Sequence, residues 1–76
     1  MEASAESLDR AIDLAYVFAR MRGRTCLEVV KAVLATRTLA RLGYKGGGHL
    51  TQHQCDAAIA ILEIWIGRAN GQHQQG

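Results

Sequence analysis

Apolar residues recur along this chain at helical spacing, in three blocks divided by glycine. In the first block Leu8, Ala11, Ile12, Ala15, Phe18 and Ala19 fall at three- and four-residue intervals, the signature of one buried helix face. Ser4 or Ser7 can cap its start, Glu6 and Asp9 suit the positive end of the dipole, and Gly23 suits a left-handed stop. The spacing predicts a helix over 5–22. The second block opens on Thr25-Cys26-Leu27-Glu28, a capping box, and continues without a breaker to Gly43, which predicts a helix over 26–42. The third opens on Leu50-Thr51-Gln52-His53-Gln54, a second box in which Leu50 can staple onto Cys55. It predicts a helix over 52–69, ended by Asn70-Gly71, with 72–76 as a disordered polar tail on a single domain of residues 1–71. Helices of ~17 residues run ~26 Å each. Matched lengths and short connections predict an all-α, antiparallel three-helix bundle.

The third helix has apolar residues on too many sides. Cys55, Ile59, Leu62 and Ile66 make one stripe; Ala57, Ile61, Ile64 and Trp65 make another. The first helix carries a second, narrower stripe of Leu14, Val17 and Met21. A monomeric bundle covers each helix over about half its circumference. The excess therefore predicts a homodimer joined through Leu14, Val17, Met21, Ile61, Ile64 and Trp65.

Composition agrees with a small helical domain that gains from assembly. Of 76 residues 49% are hydrophobic, yet only Tyr16, Phe18, Tyr44 and Trp65 are aromatic, and there is no proline. A chain this short removes only ~60% of its unfolded surface from water, so a lone core is marginal. The two cysteines make no disulfide framework, and no secretory leader is visible in the acidic MEASAESLD, so reduced thiols in the cytoplasm are expected. Glu63 interrupts the longest apolar run, Ala57 to Gly67, which falls short of the ~20 residues of a membrane span.

Charge is unevenly spread. Residues 1–13 hold Glu2, Glu6, Asp9 and Asp13 against Arg10, whereas residues 14–50 hold seven bases against Glu28, a balance of +6 (7 − 1). Arg20, Arg22 and Arg24 cluster around the first turn, and Arg37, Arg41 and Lys45 follow at four-residue spacing. Such a row suits a phosphate backbone. The hairpin, however, brings Arg37 and Arg41 toward Glu6, Asp9 or Asp13, and a sequence pI near 8.8 is modest for a dedicated DNA binder.

Other chemistry reads poorly. KGGGHLT resembles a phosphate loop only superficially: Lys45 precedes the glycines, six residues from Thr51, and no strand leads in. His49, His53 and Cys55 are zinc-ligand types, but His53 and Cys55 lie two apart on a helix and diverge by ~200°, leaving His73 or Cys26 to be recruited from afar. Cys26 opens a helix beside Arg24, where a thiol pKa can fall, yet no base and orienting group accompany it. LTQHQ looks like the opening of a helix-turn-helix, but Ala57 to Gly67 continues as one apolar helix with no base-reading face. No metal, cofactor or catalytic activity is expected. The reading is a small non-enzymatic protein that binds another protein, an inhibitor or adaptor acting by occlusion, with Arg37, Arg41, Tyr44 and Lys45 as contact residues. The alternative is a nucleic-acid-binding regulator using Arg20, Arg22 and Arg24.

Overall fold

The computed structural model describes residues 1–75, with side chains to Gly71. Ser4 caps α1 (Ala5–Arg22), its hydroxyl accepting from the Ser7 amide at 3.1 Å. Gly23, at φ 66°, ends the helix in the left-handed region, and the Arg24 amide donates back to the Ala19 carbonyl at 2.9 Å. Thr25 and Glu28 then form the full capping box of α2 (Cys26–Leu34).

The single second helix expected over 26–42 is two. Thr36 adopts extended backbone (φ −70°, ψ 154°) and starts a separate short helix, α3 (Arg37–Arg41). Its hydroxyl donates to the Val33 carbonyl at 2.7 Å and accepts from the Leu39 amide at 3.5 Å, so it serves the end of α2 and the start of α3 together. The break has a packing reason. On an uninterrupted helix, Leu39 would point ~120° away from Val33. Restarting the helix turns Leu39 into the interior, where it is completely buried.

After α3 the Gly43 amide donates to Ala40 and the Tyr44 amide to Leu39, with Gly43 at φ 89°. The last helix, α4 (Gln52–Gln75), starts as expected: Thr51 and Gln54 exchange bonds of 2.9 and 3.1 Å. It does not stop at Asn70-Gly71, which stay helical, with Gly71 outside the positive-φ region. The expected tail falls on 72–76, whose side chains, with all of Gly76, lie outside the described residues.

The four helices pack on one another, α1 most extensively on α4 and on α2. α1 and α4 run alongside one another, tied by Ser7–Gln52 at one end and Arg10–Glu63 further along. α2 packs on both α1 and α4, and α3 packs on α2 and α4. The core is Ala15 and Ala19 of α1, Val29 and Val33 of α2, Leu39 of α3, and Ala58 and Leu62 of α4. The alanines let α1 come close, and burying each leucine is worth about 1.5–3 kcal/mol.

One contact has no counterpart in the hydrophobic pattern. The N-terminal residues lie along the entry to α4 as an antiparallel strap: Ala3 donates to the Leu50 carbonyl at 3.0 Å, and Gln52 donates to the Met1 carbonyl at 2.9 Å. Gln52 completes the tie, accepting from the Ser4 amide and donating to Ser7 and Asp56. No helix among the described residues is long and apolar enough to cross a membrane.

Candidate functional site

Where α1 ends, Phe18 meets Trp65 of α4, with ring centroids 5.5 Å apart and planes inclined at 42°. Both rings rest on the core and stay partly open to solvent. Two adjoining hollows of about 300 and 340 Å³ share Phe18, Arg22 and Trp65. The first is walled by Val29 and Ala32 of α2 and rimmed by Arg24 and Glu28; the second extends along α4 to Arg68 and Ala69. Helical spacing builds this cleft. Arg22 lies one turn beyond Phe18, Arg68 one turn beyond Trp65, and the Gly23 turn swings Arg24 back to the rim.

The cleft is positive. Arg24 lies 3.7 Å from Glu28 in an exposed pair, worth little by itself. Hydrogen bonds from the Thr25 backbone amide and hydroxyl hold the Glu28 carboxyl below its ordinary pKa against some desolvation, with Arg24 adding a smaller pull. Glu28 is thus committed to the start of α2. Arg22 and Arg68 have no carboxylate partner among the described residues. Three arginines against one glutamate leave a balance of +2 (3 − 1) around an aromatic floor.

The arginines of RMRGR divide. Arg22 and Arg24 reach the cleft, while Arg20 stacks over Tyr16, its guanidinium carbon 5.9 Å from the ring centroid. Arg37, Arg41 and Lys45 are exposed along α3 and the loop after it. Neither arginine pairs with Glu6, Asp9 or Asp13: the ion pairs among the described residues are Arg10–Glu63, Arg24–Glu28 and His49–Glu2. The expectation of internal neutralisation is corrected, because α3 packs on α4 and α2 and not on α1. Tyr44 is half-buried, and its hydroxyl donates to the Gly47 carbonyl at 2.9 Å.

Of the six residues expected at a dimer interface, Leu14, Ile61 and Trp65 pack against the core of their own chain. Val17, Met21 and Ile64 are exposed. Ile12, Tyr16, Leu27 and Leu42 are exposed as well.

The glycine loop spans an apolar hollow of about 240 Å³, bounded by Leu8 and Ile12 of α1, Val30 and Leu34 of α2, and Tyr44 and Leu50. Only Gly46 in the triplet has a positive φ, 95°. No group of three His, Cys, Asp or Glu side chains suited to a metal occurs among the described residues, and His73 lies outside the described side chains. Both cysteines are free; Cys26 is half-buried, its sulfur 4.0 Å from the Ile12 carbonyl, and Cys55 is buried. Burial, then the neighbouring Asp56, raises the Cys55 thiol pKa.

Sequence reasoning assigned Phe18 to the core and passed over Arg68. The available signal was the repeated pattern of an aromatic followed one turn later by arginine, Phe18/Arg22 and Trp65/Arg68. Comparison with known proteins places no relative beside this chain: no family model, curated protein or solved structure matches it.

Proposed function

We infer that this chain is a small non-enzymatic protein whose task is to bind another protein, as an inhibitor or adaptor acting by occlusion. The observation that carries the reading is the arginine-rimmed cleft over Phe18 and Trp65. Aromatic and arginine side chains are the residue types most often found to anchor protein interfaces. Here they converge on one end of the molecule, with Arg22 and Arg68 unpaired among the described residues. Arg37, Arg41, Tyr44 and Lys45 offer a second, flatter contact edge on α3 and its loop. The reading includes a homodimer, its face reduced to the exposed Val17, Met21 and Ile64, and a reducing compartment such as the cytoplasm, where Cys26 and Cys55 remain thiols.

Affinity capture from cells that encode the chain tests the reading. A protein retained through high-salt washes, and lost when Arg22 and Arg68 are both changed to glutamate, is the expected result. If only nuclease-sensitive material is retained, the inference is wrong.

The second reading, a nucleic-acid-binding regulator, draws on the row of Arg37, Arg41 and Lys45, unpaired among the described residues. It weakens where Arg20 parts from Arg22 and Arg24, because a phosphate-tracking surface needs its charges on one side. Titration with generic duplex at two salt concentrations decides it: no binding at low salt removes the reading.

A further inference from the structure

We propose that the Phe18–Trp65 cleft takes an acidic peptide segment anchored by one bulky apolar side chain. The proposal rests on the protein-binding reading and supplies the chemistry of the partner.

Charge complementarity is the first argument. Arg22 lines both hollows, Arg24 lines the first and Arg68 the second. Aspartates or glutamates laid over Trp65 would meet Arg22 and Arg68, the two guanidiniums without a carboxylate partner among the described residues. The fork geometry of guanidinium matches carboxylate with two parallel hydrogen bonds. Glu28 sits on the α2 side of the rim. It favours a ligand whose negative charge is concentrated toward Arg22 and Arg68.

The apolar floor is the second argument. Between the arginines the floor is apolar: Phe18, Trp65, Val29 and Ala32. Carboxylates alone would leave that floor wet, whereas a leucine, phenylalanine or methionine among them would cover it. The two hollows, about 300 and 340 Å³, are open to solvent and share Phe18, Arg22 and Trp65, which suits neighbouring side chains of an extended segment lying across the surface.

Single-stranded nucleic acid also combines phosphate charge with groups that stack on aromatic rings. The peptide is favoured because Phe18 and Trp65 turn toward each other at 5.5 Å and rest on the core, leaving part of each ring face committed.

Trp65 is the only tryptophan in the chain, so its emission reports directly on the cleft. The probe is a short peptide of aspartates and glutamates around one phenylalanine. Titrated into the full chain, it should shift Trp65 emission saturably. Replacing its phenylalanine by alanine, or changing Arg22 and Arg68 to glutamate in the protein, should each weaken binding at least about tenfold. Both arginines are exposed, and circular dichroism checks that the double variant remains folded. Lys31→Glu, an exposed change outside both hollows, should bind as the wild type does. The proposal is overturned if the acidic peptide leaves Trp65 unchanged, if Lys31→Glu weakens binding as much as the cleft variant does, or if an oligothymidylate shifts the emission and displaces the peptide. Should cell capture retain a protein equally on wild type and on the Arg22/Arg68 variant, the binding reading stands and the cleft assignment falls.

Discussion

Gln54 is the one buried polar side chain among the described residues, 6% exposed, and it bonds at both ends. Its carbonyl accepts from the Thr51 amide at 2.9 Å, and its amide donates to the Leu42 carbonyl at 3.0 Å. One residue thus caps the start of α4 and holds the end of α3. Replacing Gln54 by leucine strands an amide and a carbonyl, and should cost about 1–3 kcal/mol in urea denaturation. Glu28 poses a related test through pH. Its pKa in the folded chain lies below that of the unfolded chain. Its contribution is therefore fully present above the unfolded carboxylate range and is lost as pH falls through the folded value. Glutamine preserves the capping box without titrating. The stability advantage of wild type over Glu28→Gln should accordingly shrink on acidification. An advantage independent of pH would show that the carboxylate charge adds nothing. The two thiols should separate by reactivity. Half-buried Cys26 should label in the native protein, whereas Cys55, buried and with a raised pKa, should label only as the protein opens.

At the scale of elements, what could be read from the sequence depended on the reach of each signal. Thr25 and Thr51 each have an acid or amide three residues on, Glu28 and Gln54, and both helix starts were readable. Thr36 has Leu39 there, so its cap carried no such mark. The break at Thr36 arises from where Leu39 must go, a tertiary demand that no local pattern contains. Changing Thr36 to alanine removes both hydroxyl bonds and should cost about 1 kcal/mol. A variant as stable as wild type would mean that packing of Leu39 alone holds the break. The extension of α4 past Asn70-Gly71 was hidden for the opposite reason: a common stop signal was present and went unused. The candidate site was half readable. Arg22 and Arg24 stood out as a cluster, but Phe18 fell on the buried face of the first helix and Trp65 on the stripe expected at a dimer interface. Their rings are core on one side and cleft floor on the other, a distinction that appears only once α1 and α4 are packed.

For the molecule as a whole, oligomeric state is the open physical quantity that the exposed apolar residues define. With Leu14, Ile61 and Trp65 packed internally, the proposed dimer relies on Val17, Met21 and Ile64. Light scattering at micromolar concentration should give twice the 8.3 kDa chain mass, and Ile64→Glu should return it to one. A wild-type monomer would remove the dimer and leave the cleft proposal untouched.

The strap between the first residues and the entry of α4 also bears on how the chain reaches this state. The Ser4–Gln52 bond joins positions 48 residues apart in a chain of 76, so forming it closes a long loop. The α1–α2 hairpin closes across only the Gly23 turn. Loop-closure entropy therefore favours the hairpin as the early structure, with α4 docking late. Two substitutions should then divide kinetically. Gly23→Ala meets no neighbouring atom but forces φ 66° on a residue with a side chain, costing about 1–2 kcal/mol and chiefly slowing folding. Gln52→Ala should chiefly speed unfolding, because its bonds form after the barrier. Stopped-flow chevrons read both arms, and equal effects of the two variants on folding rate would place the strap in the nucleus. If it forms late, the strap acts as a latch on a finished bundle: its worth lies in how long the native state lasts, and not in how quickly it is found.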